Sequence, residues 1–581
     1  MIIKNIVFCL LMSFCLVERL QAENTGSKPL TTANLNSELF YQILIGELNA
    51  EAGEFGQAYA VILDAARKTE LSGLFQRAVD IALDARAGDS ALAAAEEWTR
   101  TLPGSNKANS YKLQILIGLN RFSDALEPLQ RELQQANSES RVTTISRVAR
   151  YFLQANAKDK TNALNILKTA LSADLKSPDS NISMTAWLTL ARLEANSNDF
   201  PAATISVKNA INTAPDSSEP IFEAIRLLEG GVKETEDWIK VFFNTHQNPS
   251  LQLSYAKVLI RIEKFQQALE ETKKITISDP SYIEAWLVKG ILELEDSQLI
   301  PSEASLAEYI KLAEQQTSGS KSVLIQQGLS QAYRSMSEIA ERRQDFLTAE
   351  RWLQRIKEPG QEFNVQLSRA SLLAKQGLVE EARLLIHSLT EATDLQAQQK
   401  ILAEVRILRD KDEIYTASEV LKLALIRFPN NDDLAYDLAL ISEKLEDFDE
   451  MERLLRKIIH NKPALVGPYN ALGYSLADRN IRLNEAKELI EKAVALTPND
   501  PYILDSLAWV NFRLGNLTSA LDLLKKAFKS KKDAEIAAHL GEVLWSMGDH
   551  NEAIKVWRAG LLLNKNNETL QATLKRLGID P

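Results

Sequence analysis

The chain has 581 residues and a mass of 64.9 kDa, long enough for several globular domains or one extended repeat array. It is 45% hydrophobic with only 22 glycines and 17 prolines, which excludes wholesale disorder and turn-dense all-β designs. Lys+Arg is 67 against Asp+Glu 78, a net charge of −11, whereas nucleic-acid binders ordinarily carry a basic surplus.

At the N-terminus, Lys4 precedes an apolar run from Ile6 to Val17, and Leu20-Gln21-Ala22 closes the segment. Basic, then apolar, then small is the layout of a secretory signal peptide. The run is about a dozen residues, short of the ~20 that a bilayer-spanning helix needs. Cleavage is expected after Ala22, with residues 23–37 a flexible N-terminal segment. Cys9 and Cys15 are the only cysteines, and both lie in the leader. A processed chain would then hold no disulfide, thiolate nucleophile or cysteine-bound metal. A bacterial lipobox wants small residues before its cysteine. Cys15 follows Met12-Ser13-Phe14 and Cys9 follows Ile6-Val7-Phe8, so a soluble exported chain is expected rather than a lipoprotein.

Beyond the leader, stretches such as Ala520-Leu521-Asp522-Leu523-Leu524-Lys525-Lys526-Ala527 carry apolar residues at helical spacing. They recur. Ala58, Ala91, Ala125, Ala163, Ala203, Ala268, Ala349, Ala382, Ala417, Met451, Ala486, Ala520 and Ala553 follow one another, mostly at roughly 33–40 residues. The two near-double gaps, after Ala203 and after Ala268, are each expected to hide a degenerate unit, for about fifteen in all. A small residue often sits seven positions on (Ala65, Ala170, Ala210, Ala424, Ala493, Ala527, Gly560) and twelve back (Gly46, Ala191, Ala256, Ala370, Ala439, Ala508, Gly541). Small side chains let two helix axes approach where they cross. Prolines twelve on (Pro103, Pro215, Pro280, Pro429, Pro463, Pro498) stop the second helix, because proline lacks the N–H that the helix ladder needs.

This pattern resembles the tetratricopeptide repeat (TPR), a 34-residue pair of helices. Trp187…Leu190-Ala191…Ala203…Ala210…Pro215 matches it, as does Tyr469…Leu472-Gly473…Ala486…Ala493…Pro498 with one extra residue. The resemblance covers about residues 38–577 and implies an all-α TPR superhelical solenoid of about 14–15 helix pairs, with first helices lining the concave side. The expected division is an N-terminal array over 38–216, degenerate repeats over 217–345 and a C-terminal array over 346–577. In the middle stretch Gly230-Gly231 reads as an interruption and residues 295–305 as an insertion.

Chemistry is sparse. His246, His387, His460, His539 and His550 are scattered, with no spacing that puts two rings on one metal, and are expected at the surface or at helix caps. No phosphate-cradling loop or nucleophile elbow is present. Carboxylate pairs such as Glu96-Glu97 and Asp432-Asp433 read as solvated helix faces or loops. No catalytic residue, metal or cofactor is expected, and the chain does not read as an enzyme.

In the repeat family, first-helix positions two, five, nine, twelve and thirteen face the groove. The resemblance places Asn470, Tyr474, Tyr502, Asp505, Trp509, Phe512, Arg513, Glu542 and Trp545 there as partner-binding residues. Aromatic rings beside charges suit interface hot spots, though the same rings could pack between repeats. Tyr474, Trp509 and Glu542 hold position nine, so the Lys/Asn clamp that grips peptide C-termini in chaperone-docking repeats is not matched.

Three C-terminal stretches are more specific: Asn470 to Arg479, Asp505 to Val510 and Ala538 to Trp545. With Phe40 to Leu48 and Arg77 to Leu83 they resemble the large proteobacterial envelope TPR adaptors of the LbcA type, binding partners of the carboxyl-terminal processing protease CtpA. That family implies a non-enzymatic periplasmic adaptor, attached to the outer membrane, that brings peptidoglycan hydrolases to a serine protease. The unmatched lipobox departs from that pattern. A structural scaffold for envelope polymer export or assembly is the alternative reading, and an enzyme hidden in the irregular centre is a third.

Overall fold

A computed structural model describes residues 37–153, 160–316, 322–357 and 360–580. The expected leader, and all but the last residue of the 23–37 segment, lie outside these. Among the described residues there are 31 α-helices and no strand. They form fifteen hairpins, α1/α2 (Ser37–Glu51, Phe55–Thr69) to α29/α30 (Ala534–Ser546, His550–Leu563), plus a closing helix α31 (Glu568–Leu577). The chain divides into two compact units, Met1–Leu312 and Ala313–Pro581. Helix α16 (Leu299–Gln315) runs through that boundary. No helix among the described residues is long and apolar enough to cross a membrane.

The repeated small residue is where each second helix meets its partner. All thirteen anchor positions, Ala58 through Ala553, are at most 1% exposed. The facing first-helix position has no room for more than a small side chain. A Cβ on Gly473 of α25 (Val466–Asp478) would lie 2.6 Å from Ile490 Cγ1 and 3.0 Å from the Ala486 carbonyl oxygen, both on α26 (Leu483–Leu496). One on Gly290 would lie 2.7 Å from Leu306 Cγ. The six prolines each stand two residues past the end of a second helix, as their missing N–H requires.

The turn inside each hairpin also repeats. In the fourteen hairpins whose turn is described, the backbone enters the left-handed region two residues after the first helix: Gly53, Arg86, Asn120, Asn198, Gly231, Glu263, Ser297, Gln344, Gly377, Asp412, Glu446, Asn480, Gly515 and Gly548 all have positive φ. This overturns two expectations for the middle stretch. Gly230-Gly231 is the ordinary turn between α11 (Ser218–Glu229) and α12 (Thr235–Thr245), not an interruption. Residues 295–305 are the Ser297 turn and the first part of α16, not an insertion. The two hidden repeats are the hairpins α11/α12 and α15/α16 (α15, Ile283–Glu295). Their second helices have Thr235 and Ser302 buried at the crossing in place of alanine, so the alanine signal fails there.

Asp, Asn, Ser or Thr side chains cap many helix N-termini, each contributing about 1 kcal/mol. Asp500, for example, accepts from the Tyr502 and Ile503 amides of α27 (Pro501–Arg513) at 2.9 and 3.1 Å. Ion pairs join successive repeats, including Arg67–Glu97 at 2.7 Å and Arg261–Glu229 at 2.5 Å. Exposed pairs of this kind contribute little, so burial carries the array.

Three outcomes are expected. Gly473→Ala should destabilise the C-terminal unit by about 1–3 kcal/mol. Gly56→Ala, where nothing lies within 4 Å of the new methyl, should be neutral or slightly stabilising. Gln344→Gly should stabilise by roughly 0.5–1 kcal/mol, because an exposed non-glycine residue at φ 61° carries a steric cost that glycine lacks. Urea unfolding followed by helical circular dichroism measures all three.

Candidate functional site

The first helices α25, α27, α29 and α31 touch in succession along one side of the C-terminal unit. In α25, Leu472, Gly473 and Leu476 are buried in the repeat core, and Asn470, Tyr474 and Asp478 lie one turn apart on another face. Asp533 caps α29 through the Glu535 and Ile536 amides, which fixes where Glu535, His539 and Glu542 emerge. Asn567 caps α31 through the Leu570 amide, and Gly578, with φ 68°, ends it.

These helices bring most of the expected groove residues together, but in different states of exposure. Tyr502 is 47% exposed. Asn470, Tyr474, Phe512, Arg513 and Trp545 are half-buried. Asp505, Trp509 and Glu542 are buried, at 5%, 3% and 4% exposed. The burial has a direct cause: the neighbouring first helices close over these side chains. Asp505 faces His539 of α29, and the Arg576 guanidinium of α31 donates to Glu542 Oε2 at 2.6 Å. Trp545 stands apart, packed on Trp557 and His550 at ring-centre distances of 5.7 and 4.0 Å. Asn470 keeps its side-chain oxygen buried with no hydrogen-bond partner among the described residues.

An aromatic and charged stack runs through the group. Phe512 and His539 stack on Trp509 at 5.2 and 4.2 Å, and the Arg513 guanidinium lies 4.7 Å from the Trp509 ring centre. Trp509 Nε1 donates to Asp478 Oδ1 at 3.3 Å, and Arg513 donates to the Asp478 carbonyl oxygen at 3.1 Å. The Asp505 carboxylate lies 2.9 and 3.0 Å from His539 Nδ1. Burial pushes the Glu535 carboxyl up, and His539 opposes that push. Burial pushes the Tyr474 phenol up, and the nearby carboxylates Glu535, Asp478 and Asp505 add to it.

Sequence reasoning missed His539. It was expected at the surface or at a cap, and it is 1% exposed. The available signal was its setting: one imidazole inside the otherwise apolar run Ile536-Ala537-Ala538-His539-Leu540-Gly541. Nothing local marked Arg576, whose role depends on α31 folding back beside α29. Among the described residues, no group of three or more His, Cys, Asp or Glu side chains could hold a metal ion.

A stack of helical hairpins with aromatic and charged side chains along its first helices is a protein-interaction solenoid. Residues 534–567 match the tetratricopeptide repeat family model. A stretch of 220 residues is 35% identical to the TPR repeat-containing protein PA4667 of Pseudomonas aeruginosa, covering 38% of this chain and 37% of that protein. A stretch of 90 residues is 32% identical to the small glutamine-rich tetratricopeptide repeat-containing protein 2 of Mycosarcoma maydis, covering 15% of this chain and 26% of that protein. A thermophilic TPR protein of known structure, TTC0263 of Thermus thermophilus, aligns at 22% identity and a TM-score of 0.29 over 31% of this chain and 99% of that one. The matches span 37% and 26% of these two curated relatives.

Removing Asp505 should leave the buried His539 Nδ1 without its partner. Asp505→Ala is expected to cost about 1–3 kcal/mol in urea unfolding of the C-terminal unit. Glu450→Ala removes only the surface pair with Arg453 and should cost under about 1 kcal/mol.

Proposed function

We propose that the protein is an exported, non-enzymatic adaptor of the periplasm. In this reading its first-helix surface holds a carboxyl-terminal processing protease together with cell-wall hydrolases, and so promotes their proteolysis. The observation that carries the reading is the use of the described chain almost wholly for repeat hairpins. Two of their first helices carry Tyr474, Tyr502, Phe512 and Arg513, all at least partly exposed. Aromatic rings beside a guanidinium are the side chains that dominate binding energy at protein interfaces. The stretch shared with the Pseudomonas repeat protein and the leader-like first 22 residues add support.

The advantage of such an adaptor is concentration. Two partners held on one array meet as if intramolecular, which raises their encounter without adding a catalytic group. The catalytic residues belong to the protease.

Purified residues 23–581, mixed with the carboxyl-terminal processing protease and a peptidoglycan hydrolase of the same organism, should speed hydrolase degradation at least tenfold. An unchanged degradation rate and no complex by light scattering would remove the proposal. Tyr502→Ala should weaken partner binding by about tenfold or more while leaving the melting curve near that of the parent chain.

A further inference from the structure

His539 can be assigned a protonation state from its hydrogen bonds. Its Nδ1 faces both Asp505 oxygens, which as an ionised carboxylate only accept, so Nδ1 carries a proton. Its Nε2 lies 3.4 Å from the Tyr474 hydroxyl oxygen. When that hydroxyl gives its one hydrogen to Glu535 Oε1, also at 3.4 Å, its oxygen accepts from Nε2. In that arrangement both ring nitrogens donate, and the ring is an imidazolium. The Trp509 face 4.2 Å away suits a cation.

The surrounding charges agree. Asp478 of α25 is held by Arg513 of α27, and Glu542 of α29 by Arg576 of α31. Asp505 of α27 and Glu535 of α29 remain as two buried or half-buried carboxylates, and His539 is the cation facing them. Tyr474 also does something unusual for a solenoid. Repeats of this kind meet their immediate neighbours, but Tyr474 of α25 bonds to Glu535 and His539 of α29, two repeats further on.

We infer that protonated His539 is a pH-sensitive latch that ties α25, α27 and α29 together, and that its deprotonation frees Tyr474 and loosens this end of the first-helix surface. Neutral His539 has a single N–H and cannot serve both Asp505 and Tyr474. It also leaves the two carboxylates without their shared cation. Burial alone would push the imidazole down; Asp505, with Glu535 and Glu542, outweighs burial and holds it above the usual histidine value. A raised value means that the latch contributes fully below the ordinary histidine range and is lost as pH rises through the folded value. The latch is closed below the ordinary histidine range and opens as pH rises through the raised folded value. This goes beyond the adaptor reading and is independent of it.

Hydrogen–deuterium exchange of the full chain between about pH 6 and 9.5, corrected for intrinsic amide rates, tests the latch. Protection of peptides covering 466–478 and 534–546 should fall with pH by up to about tenfold per unit, the slope for one linked proton. Peptides covering 72–118 in the first unit should stay level. His539→Gln should show the loosened exchange at every pH. If that variant does not fold, Tyr474→Phe keeps the His539–Asp505 pair. It should lower protection of 466–478 at neutral pH and abolish that segment's pH dependence. Level protection of 466–478 and 534–546 in the parent chain would overturn the latch, as would parental pH dependence in either variant.

Discussion

The close approach of two helix axes inside each hairpin is the constraint on which the rest depends. It is met by an alanine or another small or compact side chain on the second helix and by a small residue on the first. Where the first-helix residue is glycine, as at Gly473 and Gly290, a methyl group already has no place to go. Close approach sets the depth of each hairpin, and the left-handed residue two positions past the first helix sets the turn that returns the chain. With both fixed, a hairpin can bury its apolar face only against the next one, and stacking follows.

Stacking in turn decides what happens to polar side chains on the first helices. Where neighbouring first helices lie close, side chains that would meet solvent on an isolated hairpin become enclosed. Asp505, Trp509 and Glu542 are enclosed in this way, and each has been given a partner: His539, Asp478 and Arg576. Buried charge is costly unless paired and hydrogen-bonded. The polar group at this end of the array is therefore linked, and Tyr502 and the half-buried rings around it form its accessible rim. A recognition surface of this build has a rigid charged interior and an aromatic margin.

Legibility in the sequence followed the same division. The period, the crossing residues and the proline stops could be read because each depends on a local requirement of helix geometry. The two repeats missed as explicit units failed for a physical reason: Thr235 and Ser302 occupy the crossing where other repeats use alanine. The Gly230-Gly231 pair misled because glycine reads as a breaker, when here it serves a turn that Glu263 and Ser297 make without glycine. For the candidate site, register could be read and exposure could not. Tyr474, Asp505 and Trp509 do gather along adjoining first helices, but their burial depends on how closely α29 and α31 approach.

The amino-acid order alone determined that this chain builds helical hairpins, how many, and where each turns, because those features answer to residues within one repeat. Which first-helix side chains are enclosed, which charge answers which, and that His539 lies at the centre of the cluster were decided by the stacking of one repeat on another. Those pairings join residues about thirty to sixty-five positions apart, across distances that no local pattern encodes.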